Sequence, residues 1–503
     1  MSYAATRQLP PAVTAMSSRV SARSAAAIAL WLVIGLAGPG LFNVGSLGFQ
    51  IFLTSSACAT TSAFALFLYA RSRDIRITEL WLTFPGLFWL TSFFTLGLAS
   101  LAWVSPNTES YGIVSQAEVA EALQYALVWL WATIAGLWWT APRLRFRSPI
   151  GRFDDLSELF NGSSAIAYVV GLASIVYLVS VQRFSYISGA EAALTATSSI
   201  PQVAMSMTFG MTIGSIVMLW KGLTVGSKRL AVTGLAMFGI AAMVSLIGGM
   251  KEPVIASLFG LAATYRLARG RLPKGSLVVG AAVVLFLFAF VNTYRTGVRI
   301  DELSVTESLA ASVDILGGDT GSGLLASTTD SIASVTSRTQ SIDSLGLIIA
   351  RTPTQIPFRD VMALPAEVAS MFVPRSLWPN KPIIAEGYRF AIEYTGQSRA
   401  VHNSFAVTLV GDAYRHGGLL SVLGFGLLLG MYLAVLDRLV NPLKHTAALI
   451  MFIALALNLA KSESGIAVTI ASQARTALVV GVMMVLVIAQ HPPETARYNR
   501  RAK

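Results

Sequence analysis

The stretch Val373-Pro374-Arg375-Ser376-Leu377-Trp378-Pro379-Asn380-Lys381-Pro382 holds the densest set of chemistry-bearing side chains in the sequence. Its prolines restrict the backbone, and a cation on either side of Trp378 makes a stiff surface with one aromatic face and two positive charges. Such a surface suits a sugar ring stacked beside a phosphate, whereas an interfacial Trp flanked by Arg and Lys is the plainer reading. Shortly after come His402-Asn403-Ser404 and then Gly411-Asp412-Ala413-Tyr414-Arg415-His416-Gly417-Gly418. His402 and His416 each have the chemistry of a general base or a phosphate ligand, and Asp412 is a further base candidate. A structural role competes for each histidine, since neither has a partner evident from sequence.

Three more places could hold an anion. Lys251 lies in Gly248-Gly249-Met250-Lys251-Glu252-Pro253, where a proline suited to a helix start follows a lysine and two glycines. Pairing with Glu252 or snorkelling at an interface would explain Lys251 equally well. Arg295 and Arg299 follow an apolar run and share one face if the helix continues, an arrangement matched to diphosphate, with interfacial anchoring as the competing reading. Arg475 falls inside the last apolar run, where an ionisable residue needs a partner; Glu463 is one candidate, in a purely structural pair. P-loop, dinucleotide-binding, zinc-spacing and G-x-S-x-G patterns are absent from any usable context, so neither cofactor nor metal is expected. The single cysteine, Cys58, excludes an intrachain disulfide.

The elements that must position these residues follow from composition. Of 503 residues, 54% are hydrophobic and 12% charged, about half the charge that dresses a soluble surface, which excludes a cytosolic enzyme. The fold class expected is an all-α polytopic membrane protein of about twelve transmembrane helices. Candidate spans are 25–43, 46–70, 79–104, 119–141, 163–182, 203–220, 230–249, 253–268, 276–294, 418–436, 446–460 and 466–490. The net charge of +12 does not call for nucleic acid, because most cations cluster in alternate connections, as the positive-inside rule requires. These are the N-terminal tail, 71–76, 143–152, 221–229, 266–274, 438–444 and the C-terminal tail, so both termini are expected to be cytoplasmic.

The chain then divides into a cytoplasmic tail (1–24), nine spans (25–294), a large extracytoplasmic loop (295–417), three spans (418–490) and a second tail (491–503). The loop is rich in Ser, Thr, Asp and Gly up to about residue 345, and beyond it reads as a folded cap on the membrane surface. Topology does not account for the cations on this side, among them Lys251, Arg295, Arg299, Arg351, Arg359, Arg375, Lys381, Arg389 and Arg415.

The segment from Pro374 to Pro382 resembles the large periplasmic loop of bacterial oligosaccharide repeat-unit polymerases, the Wzy-type O-antigen and exopolysaccharide polymerases. Gly249 to Lys251, Asn292 to Arg295 and Ser404 to Gly418 resemble further motifs of that family, in the same order and on the same side. The resemblance implies a GT-C-like arrangement in the bacterial cytoplasmic (inner) membrane. It implies transfer of a growing glycan from undecaprenyl diphosphate to the non-reducing end of an incoming lipid-linked repeat unit. Lys251, Arg295, Arg299, Arg375, Lys381, Arg415 and Arg475 would then hold substrate and Trp378 a sugar, with His402 or Asp412 as base. Partners would be undecaprenyl-diphosphate-linked oligosaccharides, membrane lipid, a chain-length regulator and a flippase. An O-antigen ligase is the nearest alternative, and a lipid-linked oligosaccharide flippase or other transporter is a different class. A flippase would bury charge in several spans and keep its outer loops short.

Overall fold

The computed structural model describes residues 46–105, 114–146, 148, 150, 161–181, 200–247, 251–276, 278–280, 282–283, 290–291, 342–373, 377–378, 386–398, 405–461 and 464–489. Among these residues the regular structure is helical throughout. Among the described residues eight helices are long and apolar enough to cross a membrane: Leu47–Arg73, Phe84–Val104, Gln116–Thr140, Ser163–Ser180, Val203–Val225, Lys228–Leu246, Gly418–Leu439 and Ile466–Val485. Each falls on one of the twelve spans expected from sequence. The expected span 25–43 lies outside the described residues, and 276–294 is described only in part.

The other two form helices that do not meet the same standard. Lys251–Arg269 carries Lys251, Glu252, Arg266 and Arg269 at its ends. Ala448–Lys461 has 14 residues, which gives ~21 Å of helix, short of the ~30 Å of hydrocarbon. Leu449, Phe452, Ile453 and Leu455 are all buried, so its uniform apolarity marks a helix enclosed by its neighbours.

We number the α-helices in chain order: α1 (Leu47–Arg73), α2 (Phe84–Ser92), α3 (Gln116–Thr140), α4 (Asn161–Ser180), α5 (Ile200–Met207), α6 (Phe209–Val225), α7 (Lys228–Ile247) and α8 (Lys251–Arg269). A cap follows, with α9 (Ile342–Arg351), α10 (Leu364–Phe372), α11 (Glu386–Thr395) and α12 (Leu409–Arg415). The chain returns through α13 (Gly418–Leu439), α14 (Ala448–Lys461) and α15 (Ile466–Ala489). After α2 the backbone loosens into a π turn over Phe93–Leu98 and tightens into 3-10 turns over Ala99–Val104.

Helices in lipid gain little from apolar burial against one another, so close backbone approach has to hold them. Gly426 and Gly430 on α13 face Ala132, Thr133 and Gly136 on α3; a Cβ on Gly136 would lie 2.1 Å from the Leu427 carbonyl oxygen. Gly210 and Gly214 bring α6 against α4, and Gly222 and Gly234 join α6 to α7 in the same way.

One end of the bundle gathers the basic connections that charge patterning puts on a common side. Arg73 pairs with Asp437 at 3.6 Å, and Asp437 also accepts from the Tyr69 hydroxyl at 2.6 Å. Arg266 pairs with Glu79 at 2.7 Å, while Arg438 donates to the Phe146 carbonyl. The cap occupies the other end, where Trp103 Nε1 donates to Asp343 at 2.7 Å and α9 packs on the start of α3.

Candidate functional site

At this second end lies a network of charges on three cap segments. Spacing builds it locally, since Glu386, Arg389 and Glu393 fall at i, i+3 and i+7 on one face of α11. Asp412 and Arg415 fall at i and i+3 on α12. Thr408 starts α12 with a side chain that accepts from Gly411 N–H at 3.1 Å, and it holds a φ of +63°, a backbone region that non-glycine residues seldom adopt. Gly411 leaves room for Ile348 of α9, whose Cδ1 would stand 2.7 Å from a Cβ there. Arg359 arrives on the segment after α9, and its backbone N–H donates to the Arg415 carbonyl at 2.7 Å.

Glu386 is the hub. Arg359 Nη1 donates to both of its oxygens at 3.0 Å, and Arg415 Nη1 donates to Oε2 at 3.2 Å. Arg359 Nη2 reaches Glu393 at 3.1 Å, and Arg415 Nη1 stands 3.3 Å from Asp412 Oδ1. Arg389, the most exposed of the three arginines at 44%, pairs more loosely with Glu386 and Glu393 at 4.0 and 3.9 Å. The Arg415 side chain is 0% exposed. Its guanidinium lies 5.5 Å from the centre of the Tyr394 ring, which stacks in turn on Phe390.

Asp412 ties the network to a span. Its Oδ2 accepts from the backbone N–H of Ile466, the first residue of α15, at 2.7 Å. Gly465 permits the approach, because a Cβ there would lie 3.0 Å from the same oxygen. Burial, and then the charge of Glu386, push the Asp412 carboxyl up to about 7, so that near neutral pH it can hold or release a proton. Burial opposes the charge on Arg359, but Glu386, Asp412 and Glu393 outweigh it and raise the guanidinium above its ordinary value. His416 Nε2 is 4.0 Å from Asp412, and burial lowers its pKa and favours the neutral imidazole. Asp412 Oδ1, Arg415 Nε and Nη2, and His416 Nδ1 are buried without a hydrogen-bond partner among the described residues.

The residues expected from sequence divide into three groups. Asp412 and Arg415 come together in this network. Trp378 is half-buried, Lys251 opens α8, and Arg475 lies within α15, the helix on which α10 of the cap packs. Arg295, Arg299, Arg375, Lys381 and His402 lie outside the described residues, as does the side chain of Lys251. Sequence reasoning passed over Glu386 and Glu393, and it treated Arg359 and Arg389 only as unexplained outer cations. The signal was present in the helical spacing Glu386-x-x-Arg389-x-x-x-Glu393. No group of three or more His, Cys, Asp and Glu able to hold a metal occurs among the described residues.

Together these features define an all-helical protein, among the described residues, whose apolar helices can cross a membrane and whose folded cap, held internally by ion pairs, is tied to them by hydrogen bonds from Ile466 to Asp412 and from Trp103 to Asp343. The chain belongs to the family described as a domain of unknown function (DUF8712), which matches residues 163–443. That match spans α4 to the end of α13, and so includes Arg359, Glu386, Asp412 and Arg415 but not Arg475. No curated protein and no solved structure matches the chain.

Proposed function

We propose that this protein is a membrane glycosyltransferase that polymerises lipid-linked oligosaccharide repeat units on the outer face of the bacterial inner membrane. A GT-C-like arrangement of about twelve spans is part of the same reading. The observation that carries it is the cap itself. Charged side chains from Arg359, α11 and α12 are gathered where α13 and α15 begin, which is where a lipid-borne diphosphate would meet an acceptor from the aqueous side. In this scheme an acceptor hydroxyl oxygen forms a bond to the anomeric carbon of the donor. The bond from that carbon to the diphosphate oxygen breaks, and undecaprenyl diphosphate leaves with the electron pair. The hydroxyl proton passes to Asp412 or His402. In this scheme Arg389, with Arg375 and Lys381, stabilises charge on the leaving group, while buried Arg415 holds Asp412 in place.

The test is incubation of the purified protein in detergent with polyprenyl-diphosphate-linked repeat units. A ladder of products that is lost in Arg375→Ala and Asp412→Asn is expected. Unchanged single repeats together with transport across vesicles would replace this reading with a flippase, and product found only on lipid A core would make the protein a ligase.

A further inference from the structure

Helix α10 and the turn before it form one apolar stretch, Val361–Phe372, of ~18 Å, too short for the ~30 Å of hydrocarbon. Its two faces are the reverse of those of a helix that borders water. At 100° per residue Pro365, Ala366, Ala369 and Phe372 share an arc of about 120°; all four are exposed and none is charged. Met362, in the turn, is exposed as well. The one charged residue of α10, Glu367, lies on the opposite face with the buried Leu364 and Ser370. It looks into the charge network, since burial and then Glu386 raise its pKa while Arg359 and Arg389 lower it. A helix between a core and water turns its apolar stripe inward and its charge outward. In α10 the charge is inward and the apolar side outward, so the medium outside it is apolar.

The surroundings identify that medium as lipid. α10 packs on α15, and Asp412 of the cap binds the first residue of α15, so α10 sits where that span leaves the hydrocarbon. From there Ile470, Leu478 and Val482, all exposed along one side of α15, continue the apolar surface. Beyond α10 come exposed Leu377 and half-buried Trp378, with Arg375 and Lys381 on either side in sequence, the order of an interfacial anchor. We infer that α10 is an in-plane membrane helix, seated beside α15 with its exposed face in the phospholipid leaflet on the cap's side. That seat fixes the height of the cap, and through Glu367 it holds the network of Arg359, Arg389 and Glu386 at the level of the headgroups. Met362, at the start of the stretch, stays at the headgroups within reach of reagents in solution. The seat does not depend on the transferase reading, because it concerns where the cap sits and not what the network does.

The test uses full-length Ala369→Cys protein, whose one other thiol, Cys58, is buried. The added thiol carries an NBD dye, and the protein is reconstituted in vesicles of phosphatidylcholine and phosphatidylglycerol. A nitroxide at carbon 5 of the lipid acyl chain should quench the dye about twofold, and iodide on both sides of the membrane should quench it much less. Stronger quenching by iodide than by the nitroxide would put the face in water and overturn the seat. Quenching by neither would mean that protein covers the face, either residues 301–341 or a second copy of the chain, and would overturn it equally. If Ale369→Cys does not fold, Phe372→Cys reads the same face with the same expected outcome. Glycan ladders without nitroxide quenching would remove this inference alone, whereas quenching without ladders would remove the transferase alone.

Discussion

Asp412 accepts a 2.7 Å hydrogen bond from the backbone N–H of Ile466, so a cap carboxylate serves the first free amide of a helix that begins 54 residues later. This one bond fixes α12 to α15, and through Arg415 and Glu386 it fixes α11 and Arg359 as well. It joins the soluble-looking part of the molecule to the part that crosses lipid.

The protonation of Asp412 should therefore be visible in stability. Its carboxyl ionises near 3.8 when free and at about 7 in the fold, because burial and Glu386 penalise the charge. The folded state holds the proton more tightly, so this contribution is complete below about pH 4 and is lost as pH rises through 7. Asp412→Asn lacks it. The thermal midpoint of wild type minus that of Asp412→Asn should fall by a few degrees between pH 5 and 8. A difference that holds constant or grows with pH would contradict the buried carboxyl.

Removing Glu386 should be the most damaging single change in the cap. Glu386→Gln leaves Arg415, which is wholly enclosed, with weaker partners at a cost of about 3 kcal/mol. Arg415→Met removes the charge that needs pairing. The double variant should lose less stability than the sum of the two singles, which a double-mutant cycle on chemical unfolding would measure. Simple additivity would mean that the two side chains are not coupled.

The contact between α3 and α13 makes a size prediction. A Cβ at Gly136 or Gly430 would lie 2.1 Å from a backbone carbonyl oxygen, whereas one at Gly424, on the same α13, would meet nothing within 4 Å. Gly136→Ala and Gly430→Ala should each cost about 1–3 kcal/mol and lower the yield of folded protein. Gly424→Ala should be neutral or slightly stabilising, since alanine favours helix by about 1 kcal/mol over glycine. Size-exclusion profiles of the three variants decide the point.

Sidedness can be read with added cysteines, because the single native thiol, Cys58, is buried. Met362 on the cap is 76% exposed, and Val225, at the end of α6 among the basic connections, is 73% exposed. An impermeant maleimide applied to intact cells should label Met362→Cys and spare Val225→Cys. Equal labelling, or the reverse, would overturn the orientation read from the positive charges.

Much of this architecture was legible in the residues alone. Eight expected spans became helices of membrane-crossing length, because apolarity sustained over such a length depends on composition and on little else. The clustering of Arg73, Arg266 and Arg438 at one end was legible for the same reason, as charge alternation is a one-dimensional signal. The expected span 446–460 is a helix, Ala448–Lys461, too short to meet the standard of the other eight, and sequence could not place it, because an enclosed helix and a lipid-facing one are equally apolar and only neighbours tell them apart.

What tertiary structure alone decided is which charges meet. Arg415 reads in sequence like any outer cation, yet it is 0% exposed and bound to Glu386, 29 residues away. Asp412 was visible as a base candidate, but its poise near neutrality depends on Glu386 and on the Ile466 amide, neither of which is near it in the chain. Hydropathy is a property of a local window and survives in the sequence. The energy of a buried charge depends on everything packed around it, and that is set only when α11, α12 and α15 come together.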